Sequence, residues 1–95
     1  MAAYLIGKIE VTNPEQYKKY IAATPGIIEK FGGRFIARGG ETVTLEGPEE
    51  TRRVVLVEFP SLEQIEAFYN SPEYREARRL REGAAIMYLM GVEGL

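Results

Sequence analysis

Neither cysteine nor histidine occurs in these 95 residues. Without cysteine there is no disulfide, no thiolate nucleophile, no iron–sulfur ligation and no Cys-type zinc site. Without histidine the chain lacks the commonest metal ligand and the usual general base near neutral pH, and a haem would have to be held by Tyr or Met. The expected cofactor is therefore none, and no metal site is expected. Long apolar runs are missing too, and the first eleven residues lack the charged start, apolar stretch and small-residue cleavage site of a secretory leader. The expectation is a cytoplasmic protein with no membrane partner. Nor is charge of one sign in excess: Lys and Arg number 12, Asp and Glu 14, and the formal net charge is −2. Such a chain projects no broad positive field, so no nucleic acid partner is expected. Its one basic cluster, Arg75, Arg78, Arg79 and Arg81, is interrupted by Glu73, Glu76 and Glu82, the spacing of a salt-laced helix face.

What is present is the material of one small globular domain spanning residues 1–95, with 45% hydrophobic and 27% charged residues. Residues 3–11 read as a strand, with Leu5, Ile9 and Val11 on one parity, Tyr4 and Ile6 on the other, and Gly7 at a point of close backbone approach. Asn13 and Pro14 then offer an N-cap and a first helical residue. Tyr17, Tyr20, Ile21, Thr24, Ile28 and Phe31 form a stripe at three- and four-residue spacing. Pro25 predicts a kink or short break near residues 24–26, and Gly32-Gly33 the end of the helix. Residues 34–38 read as a second strand, Gly39-Gly40 as a turn or bulge, and residues 43–46 as a continuation or a short hairpin partner. The unbroken apolar run within residues 53–59 suits a central strand. Ser61 with Gln64 predicts a capping box, and Ser71-Pro72 the start of a further helix that stops at Gly83. Residues 84–92 complete the pattern as a last strand.

Strand, helix, strand, strand, helix, strand is the order of the split β-α-β, or ferredoxin-like, α+β sandwich: helices on one face of a four-stranded antiparallel sheet. The strands nevertheless carry apolar side chains on both parities, Val55, Val57 and Phe59 against Val54 and Leu56, and Ile86, Tyr88 and Met90 against Met87 and Leu89. A second apolar face with nothing in the chain to cover it predicts a homodimer, two sheets packed face to face into a shared barrel.

AYLIGKIEVTNPEQYKKY, GGRFIARGG, LEG, RRVVLVEFPS, AFYNSPEYREAR and GAA follow one another along nearly the whole chain. In order and spacing they resemble the bacterial family called domain of unknown function 1330. The resemblance implies the dimeric α/β-barrel superfamily, which houses cofactor-free monooxygenases, lactone isomerases and haem-binding members, and it implies no particular activity. Where that family often has Asp before the Ser-Pro pair and Gln after the Tyr, this chain has Asn70 and Arg75.

Three groups of polar residues are candidates for chemistry. Tyr69, Asn70, Ser71 and Tyr74 form a polar and aromatic corner that would line a ligand pocket between sheet and helices, or else a helix cap with two packed tyrosines. Arg38, at a strand end beside two glycines, would clamp a ligand carboxylate or pair with Glu46, Glu58 or a partner chain's acid. Glu58, in the most apolar strand, is the candidate general base if it points inward, and otherwise an ion-pair partner of Arg53 or Arg38. Tyr17, Tyr20 and Phe31 line the same helix face, as core or as pocket wall. Two functions follow: a cofactor-free enzyme or binding protein for a small organic acid or aromatic metabolite, or a non-catalytic structural or interaction dimer.

Overall fold

The chain runs β1 (Ala3–Val11), α1 (Pro14–Lys30), β2 (Arg34–Arg38), β3 (Arg53–Phe59), α2 (Leu62–Tyr69), α3 (Pro72–Arg79) and β4 (Ala85–Glu93), in a computed structural model that describes residues 1–95. Its four strands make one antiparallel sheet in the order β2-β3-β1-β4. This is the ferredoxin-like split β-α-β sandwich that the sequence predicts. β4 begins one residue later than the pattern suggests.

Local chemistry sets the helix limits. The side chains of Asn13, Ser61 and Ser71 accept from the backbone N–H groups of Gln16, Gln64 and Tyr74. α1 ends where Gly33 N donates to Ile28 O at 2.9 Å and Gly32 N to Glu29 O at 3.0 Å, with Gly32 at φ +81°, a conformation that needs glycine.

Three expectations are corrected. α1 passes through Pro25 without a break. Pro25 supplies no N–H to the Ile21 carbonyl, and Arg38 Nη2 donates to that oxygen at 2.8 Å instead. Residues 43–46 form no strand: β3 takes its hydrogen bonds from β2 and β1, and residues 39–52 cross the end of the sheet as an irregular loop. That loop is tied down by Glu50, which grips Arg52 through two bonds of 2.8 and 2.9 Å and meets Lys8 on β1 at 3.3 Å. Gln64 does not close a capping box; its side-chain amide donates to the Phe31 carbonyl at 2.8 Å and so joins α2 to the end of α1.

The core lies between helices and sheet. Val57, Phe59, Phe68 and Tyr74 are its most deeply buried large side chains. Phe68 packs on Phe59 and on Tyr74, with ring centroids 5.4 and 4.4 Å apart. The other face of the sheet has no covering layer. Ile36, Ile86, Tyr88, Met90 and Val92 there are exposed by between 43% (Val92) and 61% (Met90). No helix is long and apolar enough to cross a membrane.

Candidate functional site

Alternation directs the odd-numbered residues of β1, β3 and β4 toward the helices: Leu5, Gly7 and Ile9, then Arg53, Val55 and Val57, then Met87 and Leu89. With Tyr17, Tyr20, Thr24 and Ile28 of α1 above them, they line a partly open cavity of about 50 Å³. Strict alternation along β2 would point Phe35 and Ala37 inward and Arg38 outward. A bulge intervenes. Phe35 lies opposite Val57, Ala37 opposite Leu56, and Arg38 opposite Val55, so the extra residue Ile36 turns Arg38 onto the helix side. There its guanidinium stacks on Phe35, 4.3 Å from the ring centroid, and reaches the cavity wall.

The cavity is mostly apolar, yet two cations border it and no acid does. Arg38 has no carboxylate partner and donates to a carbonyl. Arg53 packs its guanidinium against Gly39 and leaves no room for a side chain there, at a backbone φ of +72° that itself favours glycine. Its Nε is buried and has no hydrogen-bond partner. A buried donor left unpaired costs about 1–3 kcal/mol, and more when charged.

At the opposite wall the Tyr20 and Tyr74 hydroxyls lie 2.5 Å apart in buried contact. One of them donates to the other, which leaves a single O–H free for a third group. Burial pushes the Tyr20 phenol well above its ordinary value, with Tyr74 adding to the rise. Burial also raises Tyr17, against the opposing pull of Arg53. These phenols stay protonated at neutral pH, so the wall donates hydrogen bonds and offers no ready base. No three His, Cys, Asp or Glu side chains come together in a group able to hold a metal ion.

The residues singled out in the sequence are not all brought together. Arg38 and Tyr74 meet at the cavity. Tyr69 and Asn70 line a separate groove of about 390 Å³ between α2 and the edge strand β4, with Ile65, Glu66, Arg81 and Gly91. Ser71 is buried as the α3 cap, its hydroxyl donating to Phe68 O at 2.7 Å while accepting from Tyr74 N. Glu58 lies on the other face of the sheet. It receives Arg34 Nε at 2.7 Å and Tyr4 OH at 3.5 Å, and is paired with neither Arg53 nor Arg38. Phe31 packs edge-on against Phe68, outside the cavity lining. Sequence reasoning missed Arg53 as a site residue. The signal was its parity, since it shares the inward side of β3 with Val55 and Val57.

An α+β sandwich of the ferredoxin-like type, with a cation-bordered cavity under its first helix, is the class that fold and site define. The chain belongs to the family described as domain of unknown function (DUF1330), whose model matches residues 2–95. Among solved structures it is similar to RPA0582, a protein of unknown function from Rhodopseudomonas palustris, at 23% identity and a TM-score of 0.79, covering 99% of this chain and 82% of that one. A dimeric ferredoxin-like protein of unknown function from Jannaschia sp. CCS1 matches at 12% identity and TM-score 0.71, over 99% of this chain and 100% of that one. SnoaB, a cofactor-independent oxygenase from Streptomyces nogalater, matches at 10% identity and TM-score 0.70, over 99% and 93%. These likenesses are of fold. No curated protein matches the sequence.

Proposed function

We propose that this is a cytoplasmic homodimer, each subunit of which holds a small organic acid in the cavity between sheet and α1, without metal or prosthetic group. The observation that carries the ligand class is the lining: Arg38 and Arg53 border an apolar space that contains no carboxylate of the protein's own. An anion would supply the partner that Arg53 Nε lacks. Tyr74, with Tyr20, would donate the remaining O–H to the ligand, while Ser71 caps the helix that carries Tyr74, and Tyr69 packs on its ring from the groove that Asn70 also lines. Size argues against an aromatic ligand in the cavity alone, since a benzene-sized guest needs on the order of 150 Å³. Glu58 faces away from the cavity and has no part in this proposal.

Dimerisation is supported by the uncovered apolar face of the sheet and by the dimeric ferredoxin-like neighbours. Whether the bound acid is transformed depends on its own chemistry, because the lining offers protonated phenols and cations but no base. The competing reading, a non-catalytic structural dimer, has one specific observation in its favour: Arg38 already serves the Ile21 carbonyl.

Isothermal titration and thermal-shift measurements with short carboxylates decide between them. Binding should raise the melting temperature with ligand concentration, and Arg53→Met should remove the effect. A protein whose melting point ignores every carboxylate tested is a structural dimer.

A further inference from the structure

A cavity of about 50 Å³ suits only the smallest acids, yet it does not end blindly. Leu5, Met87 and Leu89 line both this cavity and the larger groove at β4. The wall between the two compartments is therefore one layer of apolar side chains. At its centre Leu89 lies over Gly7, close enough that a Cβ there would fall 3.0 Å from Leu89 Cδ2. Leu89 and Met87 are half-buried at the sheet edge, and Met is unbranched and readily changes rotamer. Turning them away would expose the flat backbone of Gly7 as a floor running from cavity to groove.

The charges differ between the compartments. The cavity has two cations and no acid, whereas the groove offsets its one Arg (Arg81, whose Nε is also buried without a partner) with one Glu (Glu66), and six of its ten lining residues are hydrophobic. An anionic head suits the first and an uncharged apolar tail the second. From Arg53 on β3 to β4 is two strand spacings, about 10 Å, longer than the acids that a cavity of about 50 Å³ admits.

Resting on the reading that the cavity takes an organic acid, we propose that cavity and groove are one continuous site for a carboxylic acid with an unbranched apolar chain. Its carboxylate lies between Arg38 and Arg53, and its chain crosses Gly7 past Leu89 into the groove beside Ile65 and Gly91.

The test is titration calorimetry of the full chain with straight-chain acids from acetate to decanoate, with decanol and benzoate for comparison. Affinity should rise about fourfold per added methylene until the groove is filled. Decanol should bind at least tenfold more weakly than decanoate. Gly91→Val, which narrows the groove against Ile65 and Leu62, should return long acids to the affinity of short ones, and Ile65→Ala should shift the optimum to longer chains. Arg53→Met should weaken all of them. A flat chain-length profile that still depends on Arg53, or benzoate binding more tightly than the straight-chain acids, overturns the continuous site and leaves the acid reading standing. Binding indifferent to Arg53 overturns both.

Discussion

Arg38 and Ile21 are joined by a side chain that does the work of a missing backbone donor. The Ile21 carbonyl would bond the N–H four residues on, where Pro25 has none, and Arg38 Nη2 takes that place at 2.8 Å. A strand thus lends the helix a hydrogen bond at its proline, beside a longer one of 3.4 Å from the Thr24 hydroxyl to the same carbonyl.

Removing Arg38 should therefore cost more in this chain than in one where position 25 can donate. Arg38→Met should lower stability by about 1 kcal/mol, the value of a charged hydrogen bond discounted for exposure to solvent. In the background of Pro25→Ala the same change should cost about half as much. Chemical denaturation of the four members of this double-mutant cycle provides the measurement. Strict additivity would show that the two residues do not interact.

The uncovered sheet face predicts the assembly. Sedimentation equilibrium should give twice the chain mass of 10.7 kDa. Leu56→Arg together with Met90→Glu, on that face, should shift the protein to the single-chain mass and leave far-ultraviolet circular dichroism intact. A single-chain mass for the unaltered protein would refute the shared barrel.

Alkaline stability should be limited by the buried phenols. Folding raises Tyr20 and Tyr17 above 10.0, so the folded chain holds protons that the unfolded chain releases. The contribution is complete below pH 10 and is lost as pH rises beyond it, at up to about 1.4 kcal/mol per pH unit for each fully buried tyrosine. Tyr20→Phe should be less stable near neutrality, because Tyr74 loses its partner, and should show a shallower alkaline decline. Urea midpoints across this range would test both effects.

The acid limb belongs in part to Glu50. The Arg52 side chain and backbone N–H, with Lys8, hold its carboxyl down to about 2 from an ordinary 4.5. A lowered value means that its contribution is present above pH 4.5 and fades as the pH falls toward about 2. Glu50→Gln should flatten that part of the stability profile. The group is partly open to solvent, so salt should blunt the difference.

Elements fixed by neighbouring residues were the most legible in the sequence. Asn13, Ser61 and Ser71 announce their helices because a cap acts within one turn, and Gly32-Gly33 ends α1 for the same local reason. The continuity of α1 was hidden because its support comes from Arg38, 17 residues beyond Ile21 in sequence. That support depends in turn on a bulge with no residue signature of its own. Residues 43–46 alternate like a strand, but β3, the neighbour in sequence they would pair with, is already bonded on both sides by β2 and β1.

The site was legible in halves. Arg38 and Tyr74 stood out by residue type and setting. Arg53 was disguised as the first residue of an apolar strand, although its parity aims it inward. The pairing of Glu58 with Arg34 depends on the β2–β3 register, which places those two residues opposite each other.

The extra residue at Ile36 carries two consequences at once. Pairing it regularly, with Ile36 opposite Leu56 and Ala37 opposite Val55, would swing the guanidinium of residue 38 to the far side of the sheet, and strip both the helix of its borrowed donor and the cavity of one of its two cations. One unpaired residue thus stands between a sheet that holds a charge against its cavity and one that sets the same charge at the margin of its uncovered apolar face.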